Sequence, residues 1–207
     1  MSLKLKHPFT KLISGPTGCG KTYYVSQLLQ NLDIIDYPPE EIVFCFSLWQ
    51  NRYDTLQQFD KRIDFIEGLP TLEQLSSKRR KLLIIDDLMN ETDERITNIF
   101  TKGSHHMNLS VIYIVQNLFS KNKQHRTITL NTHYMTIFKN PRDLSQICRL
   151  ASQMFPKNSH YLLDAYKLAT SEPYSYLFID LTQDTLDHLR LRSNILNKEF
   201  QTVYITK

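Results

Sequence analysis

Short apolar runs alternate along the chain with stretches whose apolar residues fall at helical spacing, the pattern of an α/β protein. Leu12-Ile13 forms the first run. Over residues 23–32 the apolar positions are Tyr24, Val25, Leu28, Leu29 and Leu32, one face of a helix. Residues 41–49 follow the Pro38-Pro39 breaker and are β-branched and aromatic, which predicts a second buried strand. Residues 53–61 predict a helix, 64–66 a short strand closed by Gly68 and Pro70, and 72–77 a short helix. Leu82, Leu83, Ile84 and Ile85 are an unbroken run ending in Asp86-Asp87. A helix over 93–102 stops at Gly103, and strands are expected at 110–115 and 133–139. Asn140-Pro141-Arg142-Asp143 then opens a helix to about residue 155, with Pro141 suited to its first turn. A helix at 161–169 and late strands at 175–181 and 200–206 complete the pattern.

Composition narrows the class. The 207 residues suit one domain, a core over about 9–140 with C-terminal helices and strands over 141–207. No apolar run approaches the length that spans a bilayer, and the N-terminal Lys4, Lys6, His7 and Lys11 precede no signal-like segment. An intracellular protein without a membrane partner is therefore expected. Cys19, Cys45 and Cys148 are scattered and odd in number, which fits a reducing compartment rather than a disulfide framework. No Cys/His spacing resembles a zinc site, and His105-His106 are first of all loop residues.

The first apolar run leads into G-x-x-x-x-G-K-T, formed by Gly15, Pro16, Thr17, Gly18, Cys19, Gly20, Lys21 and Thr22. Strand, glycine-rich loop and helix in that order make this a P-loop candidate. Glycines let backbone N–H groups turn inward around a phosphate. Lys21 brings a cation to the β- and γ-phosphates of ATP, the Thr22 hydroxyl can ligate Mg²⁺, and the helix start favours the anion.

Paired acids after four apolar residues resemble a Walker B strand. Asp86 would hold Mg²⁺, and Asp87 would polarise the attacking water. The plainer alternative is a strand-to-helix junction capped by Asp87. The strand at 110–115 ends in Gln116-Asn117, and Gln116 is placed to touch the γ-phosphate or that water; the plainer alternative is an amide that satisfies a local turn. Residues 104–163 carry seven Lys/Arg, including Lys121, Lys123 and Arg126, against one acid, Asp143. Such a band either faces a polyanion or is a solvated surface. The run Lys78-Arg79-Arg80-Lys81 reads as a solvated loop before a strand.

Paired acids, a strand between the P-loop and the acids, and a polar residue on the next strand resemble the additional-strand P-loop ATPases. The expected fold is thus a RecA-like α/β core, a mostly parallel sheet flanked by helices, with late C-terminal strands. The finer resemblance is to the FtsK-HerA group, and within it to genome-packaging ATPases of Maverick/Polinton elements and poxvirus-like viruses. HPFTKLISGPTGCGKT (7–22), KLLIIDDLMNE (81–91), FTKGSHHMNLSVIYIVQNLF (100–119), HRTITLNTHYMTIFKNPRD (125–143) and YSYLFIDLTQDTLDHLRLRSNI (174–195) carry it. Many relatives have Asp-Glu where this chain has Asp86-Asp87, so Asp87 departs from the pattern. The resemblance implies a ring, a hexamer or pentamer, that uses ATP and Mg²⁺ to drive double-stranded DNA, irrespective of sequence, into a capsid at a vertex protein. It implies work at sites of virion assembly in the host nucleus or cytoplasm. It also makes Asp86 the Mg²⁺ ligand, Gln116 the polar sensor and Arg142 an arginine finger reaching a neighbouring subunit, with Arg126 in reserve. A cellular translocase or helicase, and a nucleotide switch that barely hydrolyses, are the alternative readings.

Overall fold

A computed structural model of the chain describes residues 3–86, 88, 94–103, 107–120 and 122–206. Its strands are β1 (Thr10–Ser14), β2 (Glu41–Phe46), β3 (Ile63–Glu67), β4 (Lys81–Asp86), β5 (Leu109–Val115), β6 (Tyr134–Phe138), β7 (Tyr176–Asp180), β8 (Leu191–Ser193) and β9 (Thr202–Val203). The helices are α1 (Lys21–Gln30), α2 (Asn51–Phe59), α3 (Leu72–Leu75), α4 (Glu94–Asn98), α5 (Lys123–Leu130), α6 (Ser145–Met154) and α7 (Ser159–Ala169). The strands form one sheet in the order β3-β2-β4-β5-β1-β6-β7-β8-β9. Pairings from β3 to β6 are parallel, and those from β6 to β9 are antiparallel.

The four strands β1, β4, β5 and β6 are buried at every residue, which is why they read as apolar runs rather than as alternation. Alternate side chains feed two cores. Tyr24, Val25, Leu28 and Leu29 of α1 and Tyr53 and Leu56 of α2 pack on one face with Ile13, Phe44 and Ile84. Residues of α4, α5, α6 and α7 cover the other face, over Leu12, Leu83, Val111 and Ile137. The strand next to β1 on the acid side is β5, so β5 separates the P-loop strand from the strand bearing Asp86. β2, which lies between them in sequence, sits beyond β4.

Several boundaries differ from the sequence-based expectations. β2 ends at Phe46, because Trp49 leaves the sheet to pack edge-on against Phe46 and Tyr53 and to donate its indole N–H to Asp54. Pro141 does not open a helix. Asn140 Oδ1 accepts the Arg142 N–H at 3.1 Å, and Asp143 Oδ1 accepts the Ser145 N–H at 3.0 Å. These side-chain turns postpone the helix to Ser145. α5 and β8 were not anticipated. Lys81, expected in a solvated loop, is the first residue of β4 and is buried, with its ammonium 3.3 Å from Glu41. Lys11, at the N-terminal basic end, is also buried.

Candidate active site

The parallel register places the P-loop. Ser14, the last residue of β1, pairs with Val115 on one side and Ile137 on the other. The chain then continues between the ends of β5 and β6, with the Gly15 N–H donating to the Val115 carbonyl at 3.3 Å. A Cβ at Gly15 would lie 2.6 Å from Cys19 Sγ and 2.8 Å from Phe138 Cβ, so no side chain fits there. Gly20 flanks the start of α1 at φ 103°, a conformation that disfavours other residues. Between them Pro16 and Cys19 are half-buried, while Thr17 and Gly18 are exposed at the tip. Lys21 Nζ donates to the carbonyls of Gly15 at 2.6 Å and Pro16 at 2.9 Å, which holds the ammonium across the loop.

Thr22 and Asp86 meet although 64 residues separate them. Thr22 Oγ1 donates to Asp86 Oδ2 at 3.2 Å, and the same oxygen accepts the Tyr53 hydroxyl at 2.9 Å. Tyr53 is completely buried among Phe44, Phe46, Trp49 and Phe65, so its ring cannot swing away from Asp86 without breaking that cluster. A cleft of about 690 Å³ opens over these groups. Thr17, Gly18, Gly20, Lys21, Thr22, Asp86 and Gln116 line it, joined by Tyr23, Gln50, Arg52 and Tyr174. The expected P-loop, the expected metal-binding pair and the expected sensor are thus brought to one cavity. The oxygens of Thr22 and Asp86 suit Mg²⁺, which takes one or two protein oxygens and completes its shell with phosphate and water. Among the described residues no cluster of three or more His, Cys, Asp or Glu forms a separate metal site.

Other expected residues lie elsewhere. Asp87 and Lys121 are outside the described residues. Arg142 is exposed on the turn between β6 and α6, does not line the cleft, and has no ion pair among the described residues. Its neighbour Asp143 does not pair with it. Asp143 accepts from Ser145 and, at 2.7 Å, from Gln146 Nε2, and these bonds hold its carboxyl below the usual range. Lys123 and Arg126 are exposed on α5, on the face of the sheet opposite α1. His125 between them is buried, and burial lowers its basicity.

The sequence reading missed Tyr53, Gln50, Arg52, Tyr23, Tyr174 and Gln146. Gln146 Oε1 accepts the N–H groups of Leu118 at 2.7 Å and Phe119 at 3.0 Å, clamping the segment just after Gln116. No local motif announces such a contact across 28 residues. Arg52 follows an exposed aromatic turn and could have been suspected only as a cation close to a strand's C-terminal end.

This is the RecA-like P-loop NTPase fold, a mostly parallel sheet with the phosphate loop at the C-terminal edge of a central strand. Solved structures support that assignment. The DNA-packaging ATPase B204 from Sulfolobus turreted icosahedral virus is 13% identical and superposes with a TM-score of 0.58, over 86% of this chain and 96% of that one. The genome-packaging NTPase B204 from Sulfolobus turreted icosahedral virus 2, in complex with ATP-γ-S, is 15% identical with a TM-score of 0.57, over 86% and 94%. Its sulfate complex gives 12% and 0.56 with the same coverage. No protein-family model matches the chain, and no curated protein matches it in sequence. Among the described residues no helix is long and apolar enough to cross a membrane.

Proposed function

We propose that this chain is an ATP-hydrolysing subunit of a ring that translocates double-stranded DNA into a viral shell, a packaging ATPase of the FtsK-HerA kind. The observation that carries the reading is the convergence of Lys21, Thr22, Asp86 and Gln116 on one cleft at the C-terminal ends of β1, β4 and β5. The fold likeness to viral packaging NTPases and the GSHH…VIYIVQN and FKNPRD blocks support the packaging role. The same blocks resemble those of Maverick/Polinton elements and poxvirus-like viruses, and the proposed motor is of that kind.

In this reading the loop N–H groups and Lys21 hold the triphosphate, and Tyr53 keeps Asp86 Oδ2 aimed at Thr22. Thr22 and Asp86 would hold Mg²⁺, which neutralises phosphate oxygens as charge develops. Gln116 orients water against the γ-phosphate, and Asp87 polarises it. Arg142, exposed on the turn before α6 and outside its own cleft, would act as the finger in a neighbour's. DNA is gripped through its phosphates by Lys121, Lys123 and Arg126, without sequence reading. The ring, the capsid vertex and assembly at virion factories complete the proposal.

The test is turnover of ATP with Mg²⁺, with and without double-stranded DNA. Lys21→Ala should lose turnover, and Asp87→Asn should bind ATP without hydrolysing it. Arg142→Ala should be nearly inactive alone, yet regain turnover when mixed with Lys21→Ala, since an arginine supplied in trans contributes roughly 10³–10⁵ in rate. Full activity of Lys21→Ala would refute the P-loop assignment. No DNA stimulation with slow turnover would favour the switch reading.

A further inference from the structure

The nucleotide-facing cleft has two sides, and only one is explained by phosphate chemistry. Asp86 and Gln116 end β4 and β5, on one side of β1. Tyr174 lies on the other side, just before β7, and lines the same cleft. It leans on the P-loop itself. A Cβ built on Gly20 would be 3.4 Å from Tyr174 Cδ1 and 3.6 Å from its Cβ. Tyr23, in the first turn of α1, lines the cleft as well, and the two rings are 56% and 70% exposed for Tyr23 and Tyr174. Large aromatic rings this open, beside a phosphate loop, leave π-faces available to a flat ligand.

The backbone adds an independent sign. Glu172, Pro173, Tyr174 and Ser175 form a turn closed by the Ser175 N–H on the Glu172 carbonyl at 3.4 Å and by Ser175 Oγ at 2.6 Å. Tyr174 sits at its third position with φ 61°. With proline second and a positive φ third, the turn is one that selects glycine or asparagine there. A tyrosine in this place is strained, and strain of this kind gathers at ligand clamps.

We propose that Tyr174 is the base-stacking residue of this nucleotide site, with Tyr23 as its companion, and that the chain binds the purine by ring stacking. This deepens the proposed function and rests on its P-loop reading. With the triphosphate in the loop and its γ end at Asp86 and Gln116, the nucleoside runs back past Gly20 to the Tyr174 ring. Stacking accepts any π-face, so adenine and guanine nucleotides should bind with similar affinity.

Calorimetric titration with Mg²⁺ nucleotides and with inorganic tripolyphosphate, which has no base, tests this. Tyr174→Gly should weaken ATP and GTP together, by roughly tenfold or more. Tripolyphosphate affinity should stay within about twofold, and the melting temperature should rise because glycine relieves the turn. Tyr174→Phe, which keeps the ring, should retain ATP affinity. A purely structural tyrosine would show the reverse, with lower stability and ATP and tripolyphosphate weakened together, which overturns the proposal. Unchanged ATP affinity in Tyr174→Gly overturns it too while leaving the P-loop reading standing. If the unmutated protein binds neither ATP nor tripolyphosphate, both fall.

Discussion

Lys11 offers a prediction that the sequence alone would have reversed. It is the second residue of β1, is 0% exposed, and belongs to the face covered by α1. Its Nζ has no hydrogen-bond partner among the described residues and lies 4.5 Å from the Phe178 ring centre and 5.3 Å from that of Tyr24. Burial drives its basicity well below the ordinary lysine value of 10.5, with the Arg192 cation pushing the same way and Asp180 opposing. Asp180 is already engaged by Arg192 at 2.9 Å, and Tyr24 and Tyr134 are held in their neutral forms by burial. A buried polar group without a partner costs about 1–3 kcal/mol. Lys11→Met keeps the unbranched shape, loses about one heavy atom, and should gain about 1–2 kcal/mol. For a chain of this size that is roughly 2–8 °C in melting temperature. The pH dependence supplies a second measurement. The folded value lies below the unfolded one, so between them the unfolded chain binds one more proton, and stability climbs with pH by up to about 1.4 kcal/mol per unit towards pH 10.5. Urea melts at pH 7, 8 and 9 should show that climb, and Lys11→Met should remove it. A less stable Lys11→Met at pH 7, or an unchanged pH slope, would refute the burial argument.

Gly15→Ala should abolish nucleotide binding, because its Cβ would collide with Cys19 and Phe138; wild-type affinity by calorimetry would contradict the loop geometry. Tyr53→Phe removes a hydrogen bond to a charged group worth about 1.5–3 kcal/mol, so kcat should fall at least tenfold while ATP affinity holds. An unaltered kcat would show that Asp86 needs no positioning. Gln146→Ala should likewise lower kcat more than KM, by loosening the segment behind Gln116, whereas equal loss of both would make it a general packing defect. Neutralising Lys123 and Arg126 together should flatten the salt dependence of DNA binding by about two phosphate contacts, a slope change near 1.8, and no change would return α5 to the role of solvated surface.

What the sequence made legible was whatever depends on neighbours along the chain. The P-loop, the apolar run into Asp86 and the amide after β5 were all visible because buried parallel strands need unbroken apolar residues and loops need glycine. α5 was invisible because its sequence, KQHRTITL, buries only His125, Ile128 and Thr129, too few positions to show helical periodicity. Pro141 misled because a proline after a strand suits either a helix start or a turn, and the Asn140 and Asp143 side chains decide for the turn. Lys11 read as part of a basic N-terminus because charge type carries no information about which strand face meets α1. Tyr53 could not be seen, since its partner Asp86 lies 33 residues on and only the order β2-β4 brings α2 over it.

The same strand order brings the residues of two proposed roles to the two flanks of one loop. β1 is the only strand among those described that has β5 on one side and β6 on the other, so the residues following Ser14 are flanked by those following Val115 and Ile137. Gln116 therefore stands on one flank of the P-loop and the Asn140–Asp143 turn, which carries Arg142, begins on the other. Gln146 closes the circuit behind the loop, accepting from Leu118 and Phe119 and donating to Asp143. Tyr166 fixes the far end, its hydroxyl accepting the Asn140 N–H at 2.8 Å and donating to the Phe138 carbonyl at 3.2 Å. Gln146 thus ties the segment just after Gln116 to Asp143, the residue next to Arg142. Parallel register thus places Gln116 and Arg142, the proposed sensor and the proposed finger, on one hydrogen-bonded frame.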